Sequence, residues 1–202
     1  MILLSLFEDL LSKPIILASS SPRRRELLTQ IGVVFTTDPA DVDERVLAGE
    51  APEGYALRVA RDKARAVAER SGDSIVIAAD TIVVLGNDIL GKPVDAVDAF
   101  RMLTLLSGRM HMVITGIVVK DLTSLKTTAR TVITRVWFRT LPPQEIGAYV
   151  ATDEPLDKAG AYGIQGKGAL LIDRIDGCYF NVVGLPLSVL GDMLREHAIT
   201  LL

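Results

Sequence analysis

The run Ile75-Val-Ile-Ala-Ala-Asp-Thr-Ile-Val-Val-Leu85 constrains this chain more than any other stretch. It is apolar almost throughout, the pattern of a strand covered on both faces, and such a strand needs layers packed on each side of its sheet. Asp80 and Thr81 interrupt it in the middle. A carboxylate in such a place must be paired, hydrogen-bonded or metal-bound. Asp80 is therefore either a structural acid satisfied by nearby donors or a functional group, and the second reading is preferred because perturbed acids gather at functional sites.

A second stretch, Ile15-Ile-Leu-Ala-Ser-Ser-Ser-Pro-Arg-Arg-Arg-Glu-Leu-Leu28, reads as a short buried strand that turns into a helix. Pro22 suits the first helical position, and Ser21 before it suits an N-cap whose hydroxyl accepts from a free N–H. A strand running into a helix N-terminus presents backbone N–H groups and the positive end of the helix dipole. Ser19, Ser20, Arg23 and Arg24 add donors there, while Arg25 reads as solvated. Cations in a first helical turn oppose the dipole, so the cluster asks for a negative partner, and phosphate is the expected one.

The bulk charge makes that cluster informative. With 22 Lys and Arg against 25 Asp and Glu, the formal charge is −3, so nothing suggests a nucleic-acid binder and a small anionic ligand is favoured. Cys178 is the only cysteine and His111 and His197 the only histidines, which excludes an intrachain disulfide, a four-cysteine zinc site and a three-histidine zinc site. His111 is assigned no role. The first 13 residues are apolar but carry Glu8 and Asp9 and lack a basic start. They read as a short amphipathic helix, too short for a membrane span and poor as a signal peptide. A cytoplasmic protein without membrane association is expected, with residues 14–202 forming one two-lobed domain.

The remaining elements follow from local pattern. Val33 to Thr37 reads as a second strand and Asp38 to Glu44 as an acidic loop. Pro52 opens a long helix to about Arg70 with Tyr55, Val59, Lys63 and Val67 on one face. Lys63 on that stripe either snorkels or meets a ligand. Gly86-Asn87-Asp88 marks a hairpin, Gly91-Lys92-Pro93 a tight loop, and a helix runs from about Asp95 to Ser107. Met110 to Lys120 and Thr127 to Phe138 form an antiparallel pair, followed by a helix over Gln144 to Ala151. Ala169 to Ile172 and Cys178 to Phe180 read as further strand, and a final helix ends near Glu196. Between them lies a glycine-rich stretch, Glu154 to Gly166, that fits neither common phosphate-loop pattern nor a dinucleotide turn. Its glycines suit close backbone approach to a flat ligand, with Gln165 as an amide able to read a base.

Taken in order, Leu17-Ala-Ser-Ser-Ser-Pro-Arg-Arg24, Ala79-Asp-Thr81, Leu90-Gly-Lys-Pro93, Ser107-Gly-Arg109 with His111, Glu154-Pro-Leu-Asp-Lys-Ala-Gly160, Gly163-Ile-Gln-Gly166 and Asn181-Val-Val-Gly-Leu-Pro186 resemble the Maf family of nucleoside triphosphate pyrophosphatases. Seven motifs in register over nearly the whole chain make the resemblance specific. It implies an α/β fold with an elongated mixed β-sheet, helices in two lobes around a nucleotide cleft, a homodimer, and hydrolysis of a nucleoside triphosphate to monophosphate and pyrophosphate with a divalent cation, Mg²⁺ or Mn²⁺. The Asp157 to Gly166 version is similar to the dTTP/UTP branch. Gln165 alone leaves the base open, because the amide rotated would fit cytosine.

Placed on that template, Asp80 is the expected base, acting on water directly or through the metal. Glu44 is the expected second metal carboxylate, with Asp41 and Asp43 close by in sequence. Ser19, Arg23, Arg24, Lys63 and Lys92 are expected on the triphosphate, and Thr81 and Gln165 at the nucleoside end. The expected role is house-cleaning, with modified pyrimidine nucleotides such as methylated forms as rival substrates, and a non-catalytic nucleotide-binding regulator of septation on the same scaffold is the alternative from another class.

Overall fold

The computed structural model describes residues 13–202, so the expected N-terminal helix lies almost wholly outside the described residues. In chain order the elements are β1 (Ile15–Leu17), α1 (Pro22–Gln30), β2 (Thr36–Thr37), α2 (Pro52–Ala68), β3 (Ile75–Leu85), β4 (Asp88–Leu90), α3 (Ala96–Leu106), β5 (Met110–Asp121), β6 (Thr127–Phe138), α4 (Pro143–Val150), three short 3-10 turns between Glu154 and Leu171, β7 (Ile172–Asp176), α5 (Tyr179–Val183) and α6 (Leu187–Glu196). The expected mixed α/β architecture is what forms. Seven strands make one sheet in the order β2-β1-β3-β5-β6-β7, with β4 paired to β3. The first three are parallel, and the long β3, β5 and β6 are antiparallel.

The apolar run of β3 is covered on both faces, and its alternation sorts the core. Ile75, Ile77 and Ala79 pack with α1 and α6. Val83 and Leu85, further along that face, pack with α3 and α4. On the opposite face, Val76 and Ala78 join the middle of α2, and Ile82 and Val84 join its start at Tyr55, Ala56 and Val59. Asp80 and Thr81 therefore fall at the seam between clusters, one on each face.

The edge of β3 opens at the same place. Its parallel pairing with β1 ends at Ile77, and its pairing with β4 begins at Val83. On the other side β5 runs past without a break, Asp80 opposite Gly116 and Thr81 opposite Thr115. Gly116 lets α2 lie close at this level, since a Cβ there would stand 2.3 Å from the Ala56 carbonyl oxygen. A break on one edge and a helix drawn down on one face together leave a cleft beside Asp80.

Three local expectations are corrected. The strand over Val33 to Thr37 shrinks to Thr36–Thr37, because only those residues find partners on β1 and Val34 points into solvent. Ala169 to Leu171 belong to a 3-10 turn rather than a strand, and the strand begins at Ile172. Cys178 to Phe180 enter the short helix α5, where the peptide groups of Cys178 bond to the Thr134 hydroxyl of β6 rather than into the sheet ladder.

Candidate active site

The cleft has a volume of about 840 Å³, a size that suits a nucleotide. Ser19, Arg23, Arg24, Glu44, Lys63, Asp80, Thr81, Lys92 and Gln165 all line it. Residues separated by more than a hundred positions in sequence thus meet on one surface.

The arginine corner is built where β1 ends. Pro22 occupies the first helical position as expected, but the Ser21 hydroxyl makes no capping bond. Ser19 takes that place, its Oγ accepting from the Ser21 N–H at 3.2 Å and from Arg24 Nη1 at 3.0 Å. Arg24 is 8 % exposed, and each of its three side-chain nitrogens donates one bond, which leaves one N–H free on each Nη. Nε donates to the Gly184 carbonyl at 2.9 Å and Nη2 to Thr81 Oγ1 at 3.1 Å. Burial lowers its pKa, the nearby charge of Asp80 opposes that shift, and Arg23 adds to it. Thr81 is a floor for Arg24, bonded also to Thr115 Oγ1 at 2.9 Å.

On the other face of β3, Lys63 turns inward onto two carboxylates of the chain itself. Its side chain is buried, and Nζ stands 2.7 Å from Asp80 Oδ1 and 2.7 Å from Glu44 Oε1. Asp80 is 8 % exposed while Glu44 reaches in from an open loop. That loop is steadied by Tyr55, whose hydroxyl donates to the Glu44 carbonyl at 2.7 Å. Burial and the charges of Asp80 and Glu44 push the Tyr55 phenol up to about 12, so it remains a donor at neutral pH.

Among the described residues, no group of three or more His, Cys, Asp or Glu side chains is placed to hold a metal ion unaided. Two carboxylates that converge on one cationic nitrogen nevertheless offer hard oxygen donors. A Mg²⁺-type ion held by one or two carboxylates and completed by phosphate oxygens fits that donor set.

The opposite wall comes from the glycine-rich stretch. Arg23 Nη1 reaches Asp157 Oδ2 at 3.0 Å, and Lys158 Nζ donates to Asp157 Oδ1 at 2.6 Å. Neither Arg24 nor Lys92 has a carboxylate within ion-pair distance among the described residues, and Lys92 is exposed to the cleft. Gln165 is likewise exposed and lines this wall. Sequence reasoning assigned no roles to Tyr55, Glu154, Asp157, Lys158 or Tyr162, which also line the cleft. His111, also left without a role, stands directly behind Tyr162, Nε2 to Oη 2.7 Å. The motif Glu154-Pro-Leu-Asp-Lys held a signal for Glu154, Asp157 and Lys158, since three charges in so short a loop want partners.

Fold and site together define an α/β protein with a cation-lined cleft of nucleotide size and a buried aspartate beside it. The family model described as Maf-like protein matches residues 14–197, and the chain belongs to that family, as its motifs implied. Relatives named dTTP/UTP pyrophosphatase include one from Syntrophomonas wolfei, 49 % identical over 92 % of this chain and 98 % of its own length. Others come from Clostridioides difficile, 51 % identical over 91 % of this chain and 94 % of its own, and from Geobacter sulfurreducens, 52 % identical over 90 % and 95 %. Among solved structures, a HAM1 protein from Coxiella burnetii superposes with a TM-score of 0.51 at 15 % identity, covering 92 % of this chain and all of that one, a likeness of fold alone.

Proposed function

We propose that this chain hydrolyses the α–β phosphoanhydride bond of nucleoside triphosphates of the dTTP and UTP type, releasing the monophosphate and pyrophosphate. The observation that carries the reading is the seam of β3, where Asp80 meets Lys63 on one face and Thr81 meets Arg24 on the other, inside one cleft. The names of the relatives, near half-identical over nearly their whole length, supply the substrate class.

In this reading Arg23, Arg24, Lys92 and the Ser19 hydroxyl hold and neutralise the phosphates, which is where most of the rate enhancement of phosphoryl transfer originates. Asp80 orients a water and takes its proton as the water oxygen bonds to phosphorus and the bridging oxygen departs with pyrophosphate. Lys63 pairs with the Asp80 carboxylate and aims it, and becomes a phosphate ligand when the triphosphate enters. Glu44 and Asp80 would hold the divalent ion, Mg²⁺ or Mn²⁺, which supplies charge neutralisation on the phosphate oxygens. Gln165 contacts the base.

The test is product analysis with dTTP and UTP in the presence of Mg²⁺. Pyrophosphate and monophosphate are expected in equal amounts, and Asp80→Asn is expected to cut turnover by at least about a hundredfold while nucleotide binding persists. Release of single phosphate, near-normal turnover in the variant, or saturable binding with no turnover on any nucleotide would overturn the reading. The last outcome would favour a regulatory nucleotide-binding role.

A further inference from the structure

Gln165 is bracketed by bonds that involve neither the phosphates nor Asp80. On one side of it, the Gly163 N–H donates to Tyr149 Oη at 3.3 Å. On the other, the N–H groups of Lys167 and Gly168 donate to Glu154 Oε2 at 3.2 Å and Oε1 at 3.1 Å. These two anchors form one unit, because Tyr149 Oη donates to Glu154 Oε1 at 3.0 Å. Burial raises the Tyr149 phenol well above its ordinary pKa, so its proton stays available for that bond. Between the anchors, Ile164 is buried in the core below.

The bracket is also closed sterically. A Cβ at residue 168 would lie 2.1 Å from the Gly163 carbonyl oxygen and 2.7 Å from Tyr149 Oη, so the two ends of the loop touch through a space that only glycine leaves open. A flexible loop of this length ordinarily loses much of a hydrogen bond's selectivity to disorder, whereas a loop fixed on both sides retains it.

We propose that Glu154, acting through Tyr149 and the backbone of residues 163–168, is the positioning residue for base selection by Gln165. The proposal rests on the reading that Gln165 contacts the base. Its chemistry is specific to a carboxylate. Two acceptor oxygens serve three donors, and an amide in their place would set its own N–H groups against at least one of them.

The experiment compares kcat/KM for UTP and CTP in the wild-type protein, Glu154→Gln, Tyr149→Phe, Gln165→Ala and the double variant Glu154→Gln/Gln165→Ala. The UTP preference is expected to fall about tenfold in Glu154→Gln, chiefly through a higher KM for UTP, with a smaller fall in Tyr149→Phe. The double variant is expected to match Gln165→Ala in its preference, because a positioning residue has nothing left to position. A merely structural glutamate would lower both substrates alike. A preference that falls in Gln165→Ala but holds in Glu154→Gln and Tyr149→Phe overturns this inference and leaves the base contact standing. A wild-type preference near one, or a preference unchanged in Gln165→Ala, overturns the base contact and this inference together. Should Glu154→Gln fail to fold, Tyr149→Phe decides between these outcomes.

Discussion

At the Arg24 end of the cleft, the polar side chains leave β3, α1 and α2, or the short junction that joins β1 to α1. At the Gln165 end they ride on three 3-10 turns. The first group inherits its geometry from the sheet ladder and the helix ladder. The second has little regular backbone to rely on, and Asp153 and Ala161 even take positive φ without being glycine, at a cost of about 1 kcal/mol each. Long side chains do the fastening there instead, Glu154 and Tyr149 from below and His111 from behind. One end of the cleft is rigid because of what it is made of, the other because of what holds it.

The largest expected effect separates the two ends most sharply. Arg24→Met should remove about 3 kcal/mol of stability, since Ser19, Thr81 and the Gly184 carbonyl all lose a buried charged donor. Arg24→Lys should recover only part of it, because one ammonium cannot span a fork's acceptors. Urea midpoints measured beside KM for UTP check both, and equal stability in all three proteins would mean that this end is not the rigid one.

A comparable effect at the other end is hidden in pH. Burial pushes His111 from its ordinary 6.5 down to about 4. The unfolded chain takes up that proton near pH 6.5, and the folded chain resists it until about pH 4. Stability from this group is therefore complete above pH 6.5 and is lost as pH falls toward 4, by about 3 kcal/mol in all. Urea titrations across that window should show a shallower decline in His111→Gln than in the wild-type protein.

The smallest effect tests the link between the ends. Arg23 and Asp157 pair across the cleft, with Asp157 more than half exposed. Asp157→Asn should change stability by less than about 1 kcal/mol, and moderate salt should erase the difference. A larger change in a double-mutant cycle with Arg23→Gln would show that the two walls are mechanically joined.

The sheet and the Asp80–Lys63 corner were legible because they break strong patterns. Asp80 interrupts an apolar strand and Lys63 an apolar helical stripe, and each exception marks a buried polar contact. Ser19, Arg23 and Arg24 were reachable from spacing and charge, with the family resemblance adding Glu44 and Lys92. What escaped was of another kind. Glu154 and Tyr149 act on backbone N–H groups many residues away, a contact with no periodicity, and in sequence they pass for a loop acid and a helix aromatic. Cys178 to Phe180 carry strand-forming aromatics, yet the Thr134 hydroxyl and the buried amide of Asn181 draw them into a helical turn.

The gap in the edge of β3 between Ile77 and Val83 also bears on strand-to-strand aggregation. An unpaired strand edge is a template onto which another chain's strand can add. Here the exposed interval is short, recessed between β1 and β4, and carries Asp80 within reach of buried cations, so an incoming strand would have to displace an ion pair to gain only a few ladder bonds. The opening beside Asp80 is thereby too short an edge and too charged to seed aggregation.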